Sequence, residues 1–161
     1  MSDQILEYSP EIDEKIAEVV SRVLNEKVKD VKRINQGEVN YVYKVETEKQ
    51  TVLVRVARYK DWPDIGKLTW IFKNLAEKGI AHPKVLFSDT SSKHFKFGFL
   101  ITEWIDGKDG MSLIGEGKLS RKGAVEKIVK TLRKIHQIDI GGFGEFNGEG
   151  KGKYETWEES L

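Results

Sequence analysis

The chain has 161 residues, of which 39% are hydrophobic and 33% charged, with three prolines and no cysteine. That balance suits a single soluble globular domain and excludes disulfides, thiolate zinc sites and a cysteine nucleophile. Lys and Arg total 27 against 26 Asp and Glu, and a net charge of +1 exerts no global pull on nucleic acid or anionic lipid.

Asp3, Glu7 and the lack of an apolar core of about 7–15 residues argue against a secretory signal, so a cytoplasmic setting is expected. Ser9 and Pro10 then open a helix whose stripe is Ile12, Ile16, Val19, Val20, Val23 and Leu24. Glu11, Glu14, Lys15, Glu18 and Arg22 fill its other face, which places the helix at a surface. From Val28 the period changes to two. Val31 to Gln36, Val39 to Thr47 and Thr51 to Arg58 read as three strands rich in Val and Tyr, with links short enough for antiparallel hairpins.

A polar break with Asp61, Pro63 and Gly66 leads into a second helix carrying Leu68, Ile71, Phe72 and Leu75 and ending at Gly79. Lys84 to Ser88 and Phe95 to Glu103 read as two more strands joined at Asp89-Thr90-Ser91-Ser92. Phe95, Phe97, Phe99 and Ile101 are expected to share one face of the second. Loop follows Asp106-Gly107, then a third helix from Ser120 to about Gln137 with Ala124, Ile128, Leu132 and Ile135 as its stripe. Six glycines between Gly141 and Gly152 predict a flexible tail that ends with Trp157 and Leu161. The fold class is therefore α+β, with a five-stranded antiparallel sheet rather than a doubly wound parallel one.

Several chemistries fail on spacing. Gly117-Lys118 lacks the first glycine and the hydroxyl residue of a Walker A loop, and Gly115-x-Gly117 and Gly142-x-Gly144 lack the third glycine of a dinucleotide fingerprint. His82, His94 and His136 have no metal-ligand spacing. His136 with Asp139 reads as a helix-end histidine beside a cap rather than an acid–base couple. Lys27, Lys29, Lys32 and Arg33, diluted by acidic neighbours, read as a solvated edge rather than a nucleic-acid patch.

One constellation does carry chemistry. In Gly37-Glu38-Val39-Asn40 a small residue in a tight strand connection lets backbone amides approach an anion. One hairpin later Arg55 stands among apolar residues, either at a surface edge or facing an anionic partner that offsets its burial. The strand Phe97 to Ile101 then runs into Thr102-Glu103-Trp104-Ile105-Asp106-Gly107, where a chain leaving its sheet offers free backbone groups to a flat ligand.

In this order the segments resemble the N-terminal lobe of the protein-kinase-like fold, in its aminoglycoside phosphotransferase and choline kinase version. The matching strings are Gly37-x-x-Asn40 followed by Val42-Tyr43-Lys44-Val45, Val52-Leu53-Val54-Arg55, Leu75 to Gly79, Pro83 to Leu86, and Thr102 to Gly107. Leu132-x-x-Ile135-His136, Gly142-Phe143-Gly144 and Trp157 resemble the family's run-up to its catalytic half. The resemblance implies a helical extension over 1–27, a kinase-like lobe and hinge over 28–107, and a linker, helix and tail over 108–161 that lead to an absent helical lobe. It implies that Gly37 and Asn40 cover the phosphates of ATP or GTP, and that Arg55 takes the place of the family's phosphate-binding lysine. Val42, Leu53 and Ile105 would enclose the base, Thr102 would close the back of the pocket, and the Glu103 carbonyl and Ile105 amide would bond its edge.

Two departures qualify that reading. The helix window that usually holds a carboxylate for the strand cation reads Lys67, Leu68 and Thr69, with Asp64 the nearest upstream carboxylate and Glu77 past the helix middle. The strings H-G-D-x-x-x-x-N and D-x-D, which orient the acceptor and hold Mg²⁺, are missing. The expectation is a nucleotide-binding lobe cut short before its catalytic loop, with no catalytic or metal-ligating residue of its own and inactive alone. A small polar acceptor and Mg²⁺ would join only in the full enzyme. No nucleic-acid or membrane partner is expected, and faces left bare by truncation would favour a homo-oligomer. The other reading is a non-catalytic nucleotide- or protein-binding α+β domain.

Overall fold

A computed structural model describes residues 4–34, 39–60, 62 and 64–161. Helix α1 (Pro10–Leu24) has proline in its first turn and ends on Asn25 in the left-handed region. Strands β1 (Val28–Ile34), β2 (Asn40–Thr47) and β3 (Thr51–Ala57) follow, then α2 (Ile65–Glu77), β4 (Val85–Asp89) and β5 (Phe99–Glu103). The five strands form one antiparallel sheet in the order β1-β2-β3-β5-β4. The α+β class, the sheet and its helices agree with the sequence reading.

Strict alternation builds the core. Tyr41, Tyr43, Val45, Val52, Val54 and Val56 are buried on one face, where Ile12, Ile16, Val19 and Val20 of α1 cover them with Phe99 and Ile101. Each such side chain contributes about 1.5–3 kcal/mol of gross burial. The Asp13 carboxylate caps this layer by accepting from Tyr43 Oη at 2.7 Å and Tyr8 Oη at 2.6 Å. On the other face α2 covers only one end, where Ile65, Leu68 and Phe72 pack on Ala57 and Leu100.

Three expectations need correction. The fifth strand begins at Phe99, because Gly98 takes a φ of +88° and a Cβ there would collide with the Asp89 carbonyl oxygen. The turn puts Phe97 with Ala57 and Leu100, on the face opposite Phe95, Phe99 and Ile101. Within the expected loop, helix α3 (Gly110–Gly115) forms, capped by the Asp109 carboxylate, which accepts from the Ser112 amide at 2.9 Å.

The third correction is the tail. After α4 (Arg121–Ile135) comes a hairpin of β6 (Phe143–Phe146) and β7 (Gly152–Tyr154), then a 3₁₀ turn at Glu158–Ser160. The hairpin docks on α2 through Lys67 Nζ, which donates to Glu145 Oε1 at 2.8 Å, and through Trp70 and Phe146, whose ring centroids are 5.1 Å apart. No residue of α4 is buried, and Val125, Ile128, Val129 and Leu132 stay exposed along its stripe. Among the described residues no helix is long and apolar enough to cross a membrane.

Candidate functional site

The strand register assembles most of the residues singled out from sequence. Asn40, Val42 and Lys44 alternate with the buried tyrosines of β2, and Leu53 and Arg55 alternate with the buried valines of β3. Val42 pairs with Arg55, which pairs with Leu100; Lys44 pairs with Leu53, which pairs with Thr102. Paired residues in a sheet present their side chains to the same face. Val42, Leu53, Arg55 and Thr102 therefore form one patch, on the face turned away from α1 and beyond the end that α2 covers. Asn40 stands one row further, opposite Ala57. Gly37 lies outside the described residues.

Arg55 dominates the electrostatics of the patch. Burial pulls its guanidinium below the usual arginine value, and among the described residues no hydrogen bond or ion pair compensates it. Asp64 is committed elsewhere, since its Oδ1 caps α2 by accepting from the Lys67 amide at 3.0 Å. A half-buried cation with no anion beside it among the described residues is a place where an anion would offset the cost of burial.

Two further polar atoms await partners. Asn40 Oδ1 and Thr102 Oγ1 are buried and have no hydrogen-bond partner among the described residues. Both residues were singled out from sequence, one at each end of the patch. Buried polar atoms in native folds are almost always paired, so two orphans on one face indicate a missing partner.

Beyond Thr102 the chain leaves the sheet. The Glu103 amide donates to the Lys84 carbonyl at 2.9 Å and the Trp104 amide to the Thr51 carbonyl at 3.2 Å. The Lys84 amide takes the Glu103 side chain, at 3.1 Å, in place of its carbonyl. Among the described residues the Glu103 carbonyl and the Ile105 amide thus remain as an acceptor and a donor on the exit segment. The Ile105 side chain is 57% exposed beside them.

Sequence reasoning passed over Lys44, which shares the row of Leu53 and Thr102. Its ammonium donates to Glu46 Oε1 at 2.8 Å and lies 5.4 Å from the Trp104 ring centroid, so it rims the patch on the exit side. The signal was its place two residues after Val42, on the same face. The histidines stay apart: His82 Nδ1 lies 2.7 Å from the Ile80 carbonyl, and His94 pairs with Asp89 in the β4–β5 loop. Among the described residues no three His, Cys, Asp or Glu side chains gather as a metal set.

Comparisons place this arrangement among known folds. A thermostable mutant of aminoglycoside phosphotransferase APH(4)-Ia, solved as a ternary complex with AMP-PNP and hygromycin B, matches with a TM-score of 0.68 at 18% identity over 90% of this chain. Spectinomycin phosphotransferase APH(9)-Ia, solved with ADP and spectinomycin, matches with a TM-score of 0.61 at 17% identity over 79% of this chain. The match takes in 47% of the first protein and 38% of the second, so this chain spans less than half the length of either. No curated protein matches the chain by sequence. The model of the phosphotransferase enzyme family, APH, matches residues 30–160, and the chain belongs to that family.

Proposed function

We propose that this chain is the ATP-binding lobe of a small-molecule phosphotransferase. The observation that carries the reading is the Arg55 guanidinium, half-buried on the same face as the Thr102 and Asn40 oxygens, all three without a compensating partner among the described residues. Arg55 would bind the α- and β-phosphates through its planar fork, a geometry suited to paired phosphate oxygens. Val42, Leu53 and Ile105 would hold the base between apolar surfaces. An acceptor at Glu103 followed by a donor at Ile105 complements the amino and ring-nitrogen edge of adenine. The oxygen and N–H edge of guanine has the opposite polarity, which favours ATP over GTP. The phosphate cover at Gly37 is part of the same proposal.

Transfer of the γ-phosphoryl to a hydroxyl also needs a group that orients the acceptor and a set of ligands for magnesium. The residues here do not fit a magnesium centre: no Asp-x-Asp string occurs in the chain and no carboxylate set gathers among the described residues. Those roles and the small polar acceptor fall to the remaining half of the fold, which the longer relatives possess. The bare stripe of α4 supports that reading, as the surface such a half would cover.

The test is calorimetric titration of AMP-PNP into the chain and into Arg55→Ala, each checked for folding by circular dichroism. Saturable binding that weakens at least tenfold in the variant, with no phosphoryl transfer by the chain alone, is the expected result. No heat and no thermal shift at millimolar nucleotide would overturn the reading.

A further inference from the structure

One cavity belongs to neither the patch nor the exit segment. It holds about 820 Å³ between the segment entering α2, the β4–β5 loop and the β6–β7 hairpin. None of Asn40, Val42, Leu53, Arg55, Thr102, Glu103 or Ile105 lines it. It opens beyond Ala57, at the end of the sheet opposite the exit segment.

Its charge is one-sided. Among the described residues, Lys60, Lys67, Lys96, Lys151 and Lys153 line it against two carboxylates, Asp64 and Glu145, and Lys96 has an interaction of its own. Both carboxylates are already engaged by Lys67, one at its amide and one at its ammonium. Lys60 and Lys153 have no carboxylate within ion-pair distance among the described residues, and Lys151 reaches Glu149 only at 3.6 Å. A chain whose charges almost cancel has therefore concentrated cations around one concavity, where low-dielectric walls focus their field. Ile65, Phe97 and Phe146 supply an apolar lining beneath them.

We propose that this cavity is a second anion site, separate from the nucleotide patch, for a compact ligand bearing two or more phosphate groups. Ammonium groups on flexible stems serve phosphate as point charges and need no fixed fork, so several can converge on one polyphosphate. The lysines come from three separated stretches of chain. A bound polyphosphate would tie the C-terminal hairpin to α2 and the β4–β5 loop, and so stabilise the fold by mass action.

The probe is inorganic tripolyphosphate, titrated at low salt into the chain, into the double variant Lys60→Ala with Lys153→Ala, and into Arg55→Ala. Both lysines are exposed, so their removal leaves the core intact. Binding with a rise in melting temperature is expected for the wild type and for Arg55→Ala, with at least a tenfold loss in the double variant. AMP-PNP titrated into the same three proteins should show the reverse dependence. Tripolyphosphate binding lost in Arg55→Ala and kept in the double variant would overturn the second site, as would no binding by the wild type. If AMP-PNP fails to bind any of them while tripolyphosphate behaves as expected, the nucleotide reading falls and the second site stands.

Discussion

At Thr102 a hydroxyl is buried with no partner among the described residues; the residue is only 1% exposed and sits mid-row between Leu53 and Val85. An unsatisfied buried polar atom costs about 1–3 kcal/mol, so Thr102→Val, which keeps the branched shape, should stabilise the unliganded chain by about 1 kcal/mol. Urea denaturation measures this; destabilisation by a similar amount would mean that the hydroxyl has a partner in the protein. Asp89 makes the opposite case. Burial raises its carboxyl, but bonds from His94 at 2.8 Å and from Ser91 outweigh that and hold it below the usual aspartate value. A carboxyl depressed in the fold adds stability that is complete above about pH 4 and is lost as pH falls through its folded value. Asp89→Asn should therefore lower the melting temperature at pH 7 and flatten its decline below about pH 4. Parallel acid limbs in the two proteins would count against the pairing.

The elements differ in how plainly the sequence announced them, and the difference has a physical cause. β2 and β3 were legible because one face is buried and the other open, so alternation put Leu53 and Arg55 on one face, whereas the place of Val42 came only from the family resemblance. The register that brings Thr102 beside Leu53 needed the β3–β5 pairing, a contact across 49 residues that no local pattern encodes. Phe95, Phe97, Phe99 and Ile101 alternate as a strand should, yet Gly98 turns the chain and sends Phe97 to the other face. The glycines of the tail read as flexibility. In the fold Gly150 adopts a φ of +78° with its α-carbon against the Trp70 ring, a partner 80 residues away. Ala at Gly98 would meet both a positive φ and the Asp89 carbonyl, and should cost about 2 kcal/mol or more. Ala at Gly150 should instead undock the hairpin, raising amide exchange in β6 and β7 while the five-stranded sheet keeps its protection.

For the molecule as a whole, stability and assembly reside in different places. The sheet and α1 form a closed core in which Val45, Val52, Val54, Phe99 and Ile101 have no exposed surface. Helix α4 buries no residue, and Lys134 Nζ on it donates to the Gly79 carbonyl at 3.2 Å. An amphipathic helix whose apolar stripe faces water contributes little to the fold that carries it, because the area it would bury is still in solvent. Replacing Ile128 and Leu132 together by serine should therefore change unfolding free energy by no more than about 0.5 kcal/mol. Val54→Ala, which opens a cavity in the closed core, should cost about 2 kcal/mol or more. The same double replacement should reduce concentration-dependent association in sedimentation velocity, since contiguous exposed apolar stripes drive it. If the serine pair instead destabilises the monomer as much as the core substitution does, α4 packs within this lobe. Its stripe would then have no part in receiving the other half of a phosphotransferase.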